Sequence, residues 1–244
     1  MKNLFLLVFA AFACNAPQPQ SAEKLNASMQ PAVNPVYQDL ANYIEKILPD
    51  TSAIASERKE LLNKLAEYIQ SKKESGNKAQ LTFICTHNSR RSHLSQIWAA
   101  TAAHYFGLGE DVGTYSGGTE ATAFNPRAVA AIERAGFQVE NPGGDNPQYS
   151  VSYAADEAAL RCFSKVYNDP FTNPQKHFAA IMTCSDADKN CPLVAGADLR
   201  LPIRYNDPKE ADNTPEEARR YDERCRQIAT EMFYLMSRVQ ADKG

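Results

Sequence analysis

Cys85 begins a segment in which a nucleophile and a cation are separated by five residues, namely residues 85–92 (CTHNSRRS). A short β-rich run over 80–85 precedes the segment, and a helical pattern over 92–105 follows it. In a loop between a strand and a helix N-terminus, backbone N–H groups converge and bind a tetrahedral oxyanion. The same position favours the thiolate of Cys85, which is the form that attacks.

Arg91 lies six residues after Cys85 and carries a planar guanidinium that can bind two oxygens of an anion at once. We expect it to stabilise the charge of a transition state, and we expect the adjacent Ser92 to hydrogen-bond the Cys85 sulfur. The residues predicted to surround the oxyanion are Thr86, His87, Asn88, Ser89, Arg90, Arg91 and Ser92. The alternative, a buried cysteine followed by two solvent-facing arginines, does not explain the strand, loop and helix context.

The composition is that of a globular protein with one domain and appendages. The chain has 244 residues, of which 43% are hydrophobic and 23% charged, and a formal net charge of −3. This balance argues against a protein that coats nucleic acid or an anionic membrane, so any anion site must be local. The six cysteines are too few for a disulfide scaffold.

Strand and helix patterns alternate along most of the chain, which indicates βαβ units and a parallel sheet. The predicted elements are two helices within 36–73, strands at 80–85, 112–116 and 178–183, and helices at 92–105, 126–135 and 215–239. Between 141 and 174 the chain is rich in Pro, Gly and Asn, and we expect a long surface excursion near the site. A helix is predicted inside it over 154–167, with Cys162 as a buried residue of that helix.

The N-terminus has the pattern of an export signal. Lys2 and Asn3 precede an apolar run over 4–13, which is too short to span a bilayer. The run ends at Cys14 and a polar stretch follows, so the segment resembles a bacterial lipoprotein signal with Cys14 as the lipidated residue. An ordinary cleaved signal and a disordered apolar N-terminus are the alternatives.

The segment 85–92 resembles the loop of the low-molecular-weight protein tyrosine phosphatase superfamily, which includes the thioredoxin-coupled arsenate reductases. Further similarity is found at 115–118 (YSGG), 125–128 (NPRA), 182–192 (MTCSDADKNCP) and 207–208 (DP). The resemblance covers 80–239. The sequence differs from the family pattern at Arg90, where a cysteine is common, and at His87, where a glycine is common. Arg90 could favour a dianion or face solvent, and a surface role is expected for His87.

The resemblance implies an α/β fold, a flavodoxin-like three-layer sandwich with a central parallel sheet, here preceded by N-terminal helices. We expect three parts: a signal-like segment with a polar tether (1–30), a helical extension (31–77) and a catalytic domain (78–244). The resemblance implies that Asp207 is the general acid. This role is chemically sound, because the displaced oxygen needs a proton and an Asp-Pro turn can aim a carboxylate. Without the Cys85 loop, Asp207 would be interpreted as a turn residue.

Cys184 and Cys191 lie seven residues apart, directly after a predicted strand, in a polar segment with no obligatory helix. The resemblance implies a relay in which Cys85 attacks arsenate, Cys184 attacks Cys85 and releases arsenite, and Cys191 attacks Cys184. A thioredoxin-like protein would reduce the final disulfide. The alternatives are a zinc pair, a structural disulfide and two unrelated thiols. No C-x-x-C or His-x-His partner supports zinc, so no metal or cofactor is expected.

The sequence is consistent with three functions. The first is an arsenate reductase, and the second is a protein tyrosine phosphatase that uses the same Cys85, Arg91 and Asp207. The third is an envelope protein that senses an oxyanion or redox state without turnover. The expected partners are a small oxyanion or a phosphotyrosine substrate and a thioredoxin-like reductant. We expect no nucleic acid as a partner, and we expect contact with a membrane only through a lipid on Cys14. The signal-like segment predicts a location in the cell envelope. The cytoplasm is the alternative, because an exported thiol relay would need a reducing partner in an oxidising compartment.

Overall fold

The computed structural model describes residues 34–190 and 193–239 of the chain. The predictions for the signal-like segment 1–30, for Cys14 and for Cys191 concern residues that lie outside these ranges. Within the described ranges, no helix combines the length and the apolar character that crossing a bilayer requires.

The chain alternates between strands and helices through most of its described length. The strands are β1 (Ala79–Cys85), β2 (Val112–Gly118), β3 (Gln138–Glu140), β4 (Tyr149–Ser152), β5 (Leu160–Cys162), β6 (Phe178–Met182) and β7 (Ala197–Leu201). The helices are α1 (Gln38–Ile47), α2 (Ser56–Glu74), α3 (Arg91–Tyr105), α4 (Pro126–Arg134), α5 (Ser185–Asn190) and α6 (Glu217–Ser237). Short 3-10 helices occupy Leu48–Ala53 and Pro208–Ala211.

Strands β1, β2, β6 and β7 form the central parallel sheet, in the order β2-β1-β6-β7. The register pairs Cys85 with Gly118 and Ile84 with Met182. The carboxyl ends of β1 and β6 therefore lie side by side. In open α/β sheets this edge is where ligands bind, and it brings the loop after Cys85 next to the segment that contains Cys184.

Alternate residues of the central strands bury both faces of the sheet. Ala179 and Ile181 of β6 belong to the large apolar core formed with the long helices. Phe178, Ala180 and Met182 belong to a second, smaller cluster that also contains Ala187 of α5. A parallel sheet that is covered on both faces is the three-layer arrangement that the sequence predicted, and the predicted fold class is confirmed.

The helical extension packs into the large core. Leu40, Ile44 and Ile47 follow each other at helical spacing on α1 and are at most 1% exposed. Pro49 lies at the start of the 3-10 helix between α1 and α2, where its ring is compatible with a first turn. The prediction of two amphipathic helices in this part of the chain is confirmed.

The predicted helix over 154–167 is wrong. This stretch contains β5, which pairs antiparallel with β4, and β4 pairs in turn with β3. Cys162 is therefore a fully buried strand residue rather than a helical one. Pairing with β4 provides backbone partners for β5 and buries Cys162 beside Tyr149, so tertiary context outweighs the local helical periodicity.

Two further elements after β6 were not predicted. The segment after Cys184 was expected to have no obligatory helix, but it forms α5. Strand β7 extends the central sheet next to β6, although its polar sequence, ADLRL, has only one buried residue. An edge strand of this kind obtains its hydrogen bonds from its neighbour and needs little apolar character of its own.

Candidate active site

The sulfur of Cys85 is buried at the end of β1 and contacts the hydroxyl of Ser92. Cys85 is 3% exposed, and its Sγ lies 3.1 Å from Ser92 Oγ. Asn88 Nδ2 donates a hydrogen bond to the same hydroxyl oxygen at 2.9 Å. Because Ser92 Oγ already accepts from Asn88, its own hydrogen is free to point at the sulfur. Ser92 can therefore donate to a Cys85 thiolate, as the sequence predicted.

The loop after Cys85 is held in place through its carbonyl oxygens. Cys85 O accepts from Thr119 N at 3.1 Å, Thr86 O from Glu120 N at 2.8 Å, and His87 O from Ser164 Oγ at 2.9 Å. Within the described part of the chain, the backbone N–H groups of residues 86–91 have no hydrogen-bond partner in the protein. These donors remain available to an anion.

Two conformational features give the loop its shape. Asn88 has a φ of 44°, in the left-handed region that Asn tolerates better than most residues. Its Oδ1 accepts a hydrogen bond from Lys165 N at 3.0 Å, which fixes this conformation. Gly118 lies directly against the loop: a Cβ at this position would be 2.6 Å from Thr86 O and 2.7 Å from Asn88 N. The site therefore requires glycine here.

Arg91 and Asp207 meet beside the loop. Arg91 Nη2 lies 2.6 Å from Asp207 Oδ2, and Arg91 Nη1 donates to Tyr205 O at 3.0 Å. The buried Nε of Arg91 has no hydrogen-bond partner among the described residues, so it is a donor available to an oxyanion. Asp207 Oδ1 also accepts from Lys209 N and caps the following 3-10 helix, which holds the carboxyl toward the loop.

The side chains of Arg90 and His87 contact other side chains of the protein. Arg90 Nε donates to Tyr221 OH at 2.8 Å, and its Nη2 lies 3.3 Å from Asp212 Oδ2. Its side chain is 12% exposed, so it braces the loop against α6 and does not face solvent. His87 is about half exposed, with Nε2 3.7 Å from a Glu120 carboxylate oxygen.

Thr86, Ser89 and Cys184 complete the set of predicted side chains within the described ranges. Ser89 Oγ donates to Ala123 O at 2.7 Å. Thr86 Oγ1 lies 3.5 Å from Cys184 Sγ, and Cys184 has no exposed surface. Cys184 and Cys85 belong to the same small apolar cluster. The structure thus brings Cys184 to the rim of the Cys85 loop.

Cys184 Sγ also accepts a hydrogen bond from Ala187 N, at 3.3 Å, in the first turn of α5. The helix is attached to the sheet through Asp188, whose Oδ1 lies 2.6 Å from Arg200 Nη2. Arg204 Nη1 lies 3.5 Å from the other carboxylate oxygen of Asp188. These contacts hold the thiol in a defined, buried position.

Two residues that support the site were missed in the sequence. Lys165 is largely buried, which lowers the pKa of its ammonium group, and its Nζ lies 4.8 Å from the centre of the Phe163 ring. Tyr205 supplies the carbonyl oxygen that binds Arg91. Lys165 contacts Asn88 across 77 residues and Tyr205 contacts Arg91 across 114, so no local pattern could reveal either contact.

The arrangement combines a sulfur nucleophile, free loop amides, a guanidinium, a carboxyl group and a second thiol. Amides and guanidinium can bind a tetrahedral oxyanion and stabilise added negative charge. The carboxyl group can exchange a proton with a departing oxygen. The second thiol can react with a sulfur adduct.

Two bacterial arsenate reductases are similar to the chain in sequence. Arsenate reductase 2 of Staphylococcus haemolyticus is 30% identical over 118 residues, 48% of this chain and 70% of the relative. An arsenate reductase of Bacillus licheniformis is 28% identical over 150 residues, 62% of this chain and 88% of the relative. A solved low-molecular-weight phosphotyrosine phosphatase from Vibrio cholerae has a TM-score of 0.43 at 12% identity, over 65% of this chain and 95% of that one. No model of a known protein family matches the sequence.

Proposed function

The chain belongs to the low-molecular-weight protein tyrosine phosphatase superfamily, in its arsenate reductase branch, and we propose that it reduces arsenate to arsenite through a relay of three thiols. The nucleophile is Cys85, the relay thiols are Cys184 and Cys191, and Arg91 and Asp207 assist the first step.

In the first step the Cys85 thiolate attacks arsenic, and a bond from sulfur to arsenic forms. One bond from arsenic to oxygen breaks, and the proton of Asp207 goes to the departing oxygen, which leaves as water. Arg91 contacts Asp207 before the anion arrives. A bound anion competes with Asp207 for this guanidinium, which frees the carboxyl group to face the departing oxygen.

In the second step the Cys184 thiolate attacks Cys85 Sγ. The bond from sulfur to arsenic breaks, its electron pair stays on arsenic, and arsenic(V) becomes arsenic(III), which leaves as arsenite. Cys85 and Cys184 are then joined by a disulfide. The Cys191 thiolate attacks Cys184 Sγ and releases the Cys85 thiolate, and a dithiol protein of the thioredoxin type supplies two electrons and two protons to reduce the last disulfide.

We expect the last exchange to change the conformation of α5. Helix α5 has six residues, so its length along the helix axis is about 9 Å. The Cα atoms of a disulfide lie only about 4.4–6.8 Å apart. We therefore expect pairing of Cys184 with Cys191 to disturb α5 and, with it, the contacts of Asp188 with Arg200 and Arg204.

The observation that carries the proposal is the position of Cys184, 3.5 Å from Thr86 Oγ1 of the Cys85 loop and in one apolar cluster with Cys85. Hydrolysis of a phosphate ester needs the loop, Arg91 and Asp207 but no second thiol. A buried thiol beside the loop serves a reaction that produces a sulfur adduct and then transfers electrons to it.

A parallel assay of the purified protein tests the proposal. Arsenite formation is measured with arsenate, thioredoxin, thioredoxin reductase and NADPH, and release of p-nitrophenol from p-nitrophenyl phosphate is measured without thiols. We expect arsenite formation that depends on thioredoxin and saturates with arsenate. Hydrolysis of the aryl phosphate without arsenate reduction would identify a phosphatase, and the absence of both would favour an oxyanion sensor.

We also propose that the protein is exported and carries a lipid on Cys14. The support is the apolar run over 4–13 followed by Cys14 and a polar stretch. In a fractionated bacterial host, the protein should be found in the membrane fraction, and Cys14→Ala should move it out of that fraction. A full-length, unlipidated protein in the cytosol would refute the proposal and remove the need for an exported reductant.

A further inference from the structure

Arg58, at the beginning of α2 in the helical extension, reaches the segment that carries Asp207. Its Nη2 donates to Arg204 O at 2.5 Å, across 146 residues of sequence. Its guanidinium carbon lies 5.2 Å from the centre of the Tyr205 ring. One side chain of the extension thus contacts two consecutive residues just before Asp207.

Tyr205 connects Arg58 to the site, because its N–H, its carbonyl oxygen and its hydroxyl each have a hydrogen-bond partner. Its N–H donates to Thr183 O at 3.0 Å, the residue before Cys184. Its carbonyl oxygen accepts from Arg91 Nη1 at 3.0 Å. Its hydroxyl donates to Glu231 Oε2 at 2.8 Å, and the residue is 4% exposed. Any shift of Tyr205 would therefore move the partner of Arg91.

Glu231 is the third contact of Arg58, with Nε 3.4 Å from Oε1. The carboxyl group is 3% exposed, and burial raises its pKa while the charge of Arg58 opposes this effect. A buried carboxylate without a cation is destabilised. Arg224 also lies near Glu231 and Tyr205. Among the described residues, Arg58 is the side chain that contacts Glu231, Tyr205 and Arg204 together.

We propose that Arg58 is a positioning residue for the general-acid step: it fixes the segment from Arg204 to Asp207 so that the carboxyl group of Asp207 lies beside the Cys85 loop. The helical extension is then part of the catalytic apparatus and not only a cover for the core. The proposal rests on the proposed role of Asp207 as the acid. It adds a role for a part of the chain that the resemblance leaves unexplained.

Arg226 provides a matched control, because it attaches the same extension to α6 without contacting the acid segment. Its Nη2 lies 2.6 Å from Asp50 Oδ2 and donates to Lys46 O at 2.8 Å. Arg226→Ala and Arg58→Ala each remove an arginine that binds one carboxylate and one carbonyl oxygen. Only Arg58→Ala removes the contacts with Arg204 and Tyr205.

The test is a double-mutant cycle of Arg58→Ala with Asp207→Asn in the arsenate and aryl phosphate assays. Arg58→Ala should lower kcat about ten-fold and change KM little, because misplacement of a catalytic group weakens the transition state. In the Asp207→Asn background the same change should have no further effect. Arg58→Lys keeps the charge near Glu231 but lacks the planar fork, so it should restore kcat only in part.

Equal losses from Arg58→Ala in both backgrounds, or an equal loss from Arg226→Ala, would overturn the proposal and leave a purely structural role. Hydrogen exchange of the peptide 203–208 supplies a readout that needs no activity. Exchange should become faster in Arg58→Ala and stay as in the wild type in Arg226→Ala. If the wild type lacks both activities, the proposed function fails. The hydrogen exchange of peptide 203–208 then decides alone whether Arg58 holds this segment. Unchanged exchange in Arg58→Ala would refute the positioning role of Arg58.

Discussion

Cys184→Ser should abolish arsenite formation while leaving hydrolysis of p-nitrophenyl phosphate intact. The hydroxyl cannot attack Cys85 Sγ and accept the sulfur, so the adduct of Cys85 with arsenate can only return to thiol and arsenate. Hydrolysis of the aryl phosphate uses water in the second step and does not need the thiol. Arsenite is measured after separation from arsenate, together with the oxidation of NADPH in the coupled thioredoxin system.

Cys162→Ala is the matched control, because it also removes a buried cysteine that is not in a disulfide. Burial raises the pKa of the Cys162 thiol to about 12, so it stays protonated at neutral pH and cannot act as a nucleophile. This variant should keep arsenate reduction. If Cys184→Ser still released arsenite, or if it lost both activities equally, Cys184 would not be the relay thiol.

Asp207→Asn should lower kcat by about 10²- to 10⁴-fold, the usual contribution of a general acid. The amide cannot donate the proton that the departing oxygen needs. The substitution is suited to this question because Asn caps a helix as well as Asp does, so the turn before Pro208 and the hydrogen bond from Lys209 N should persist. The amide oxygen can also still accept from Arg91.

The measurement compares phenyl phosphate with p-nitrophenyl phosphate. The poorer leaving group depends more on protonation, so phenyl phosphate should lose more activity in Asp207→Asn. Asp222→Asn is the control: Asp222 Oδ1 lies 2.6 Å from Arg134 Nη2 in an exposed pair that joins α6 to α4. It should leave both rates unchanged. An unchanged kcat for Asp207→Asn would make Asp207 a turn residue and would refute its role as the general acid.

Much of the fold could be predicted because it depends on local patterns. Leu40, Ile44 and Ile47 recur at the period of a helix, and FAAIM is a fully buried strand bounded by polar loops. The helix over 154–167 was wrong because β5 depends on pairing with β4. Strand β7 was missed for the same reason, since its polar sequence becomes a strand only beside β6.

The amino-acid sequence by itself determined the Cys85 loop, since Cys85, Asn88, Arg91 and Ser92 lie within eight residues and their contacts need only a strand, a turn and a helix. The resemblance named the distant residues Asp207 and Cys184, but only the tertiary structure decided which groups of the loop they contact. Asp207 contacts Arg91 across 116 residues, and Cys184 contacts Thr86 across 98. Such contacts have no local signature, because they depend on the order of strands in the sheet and on the close packing of helices that lie far apart along the chain.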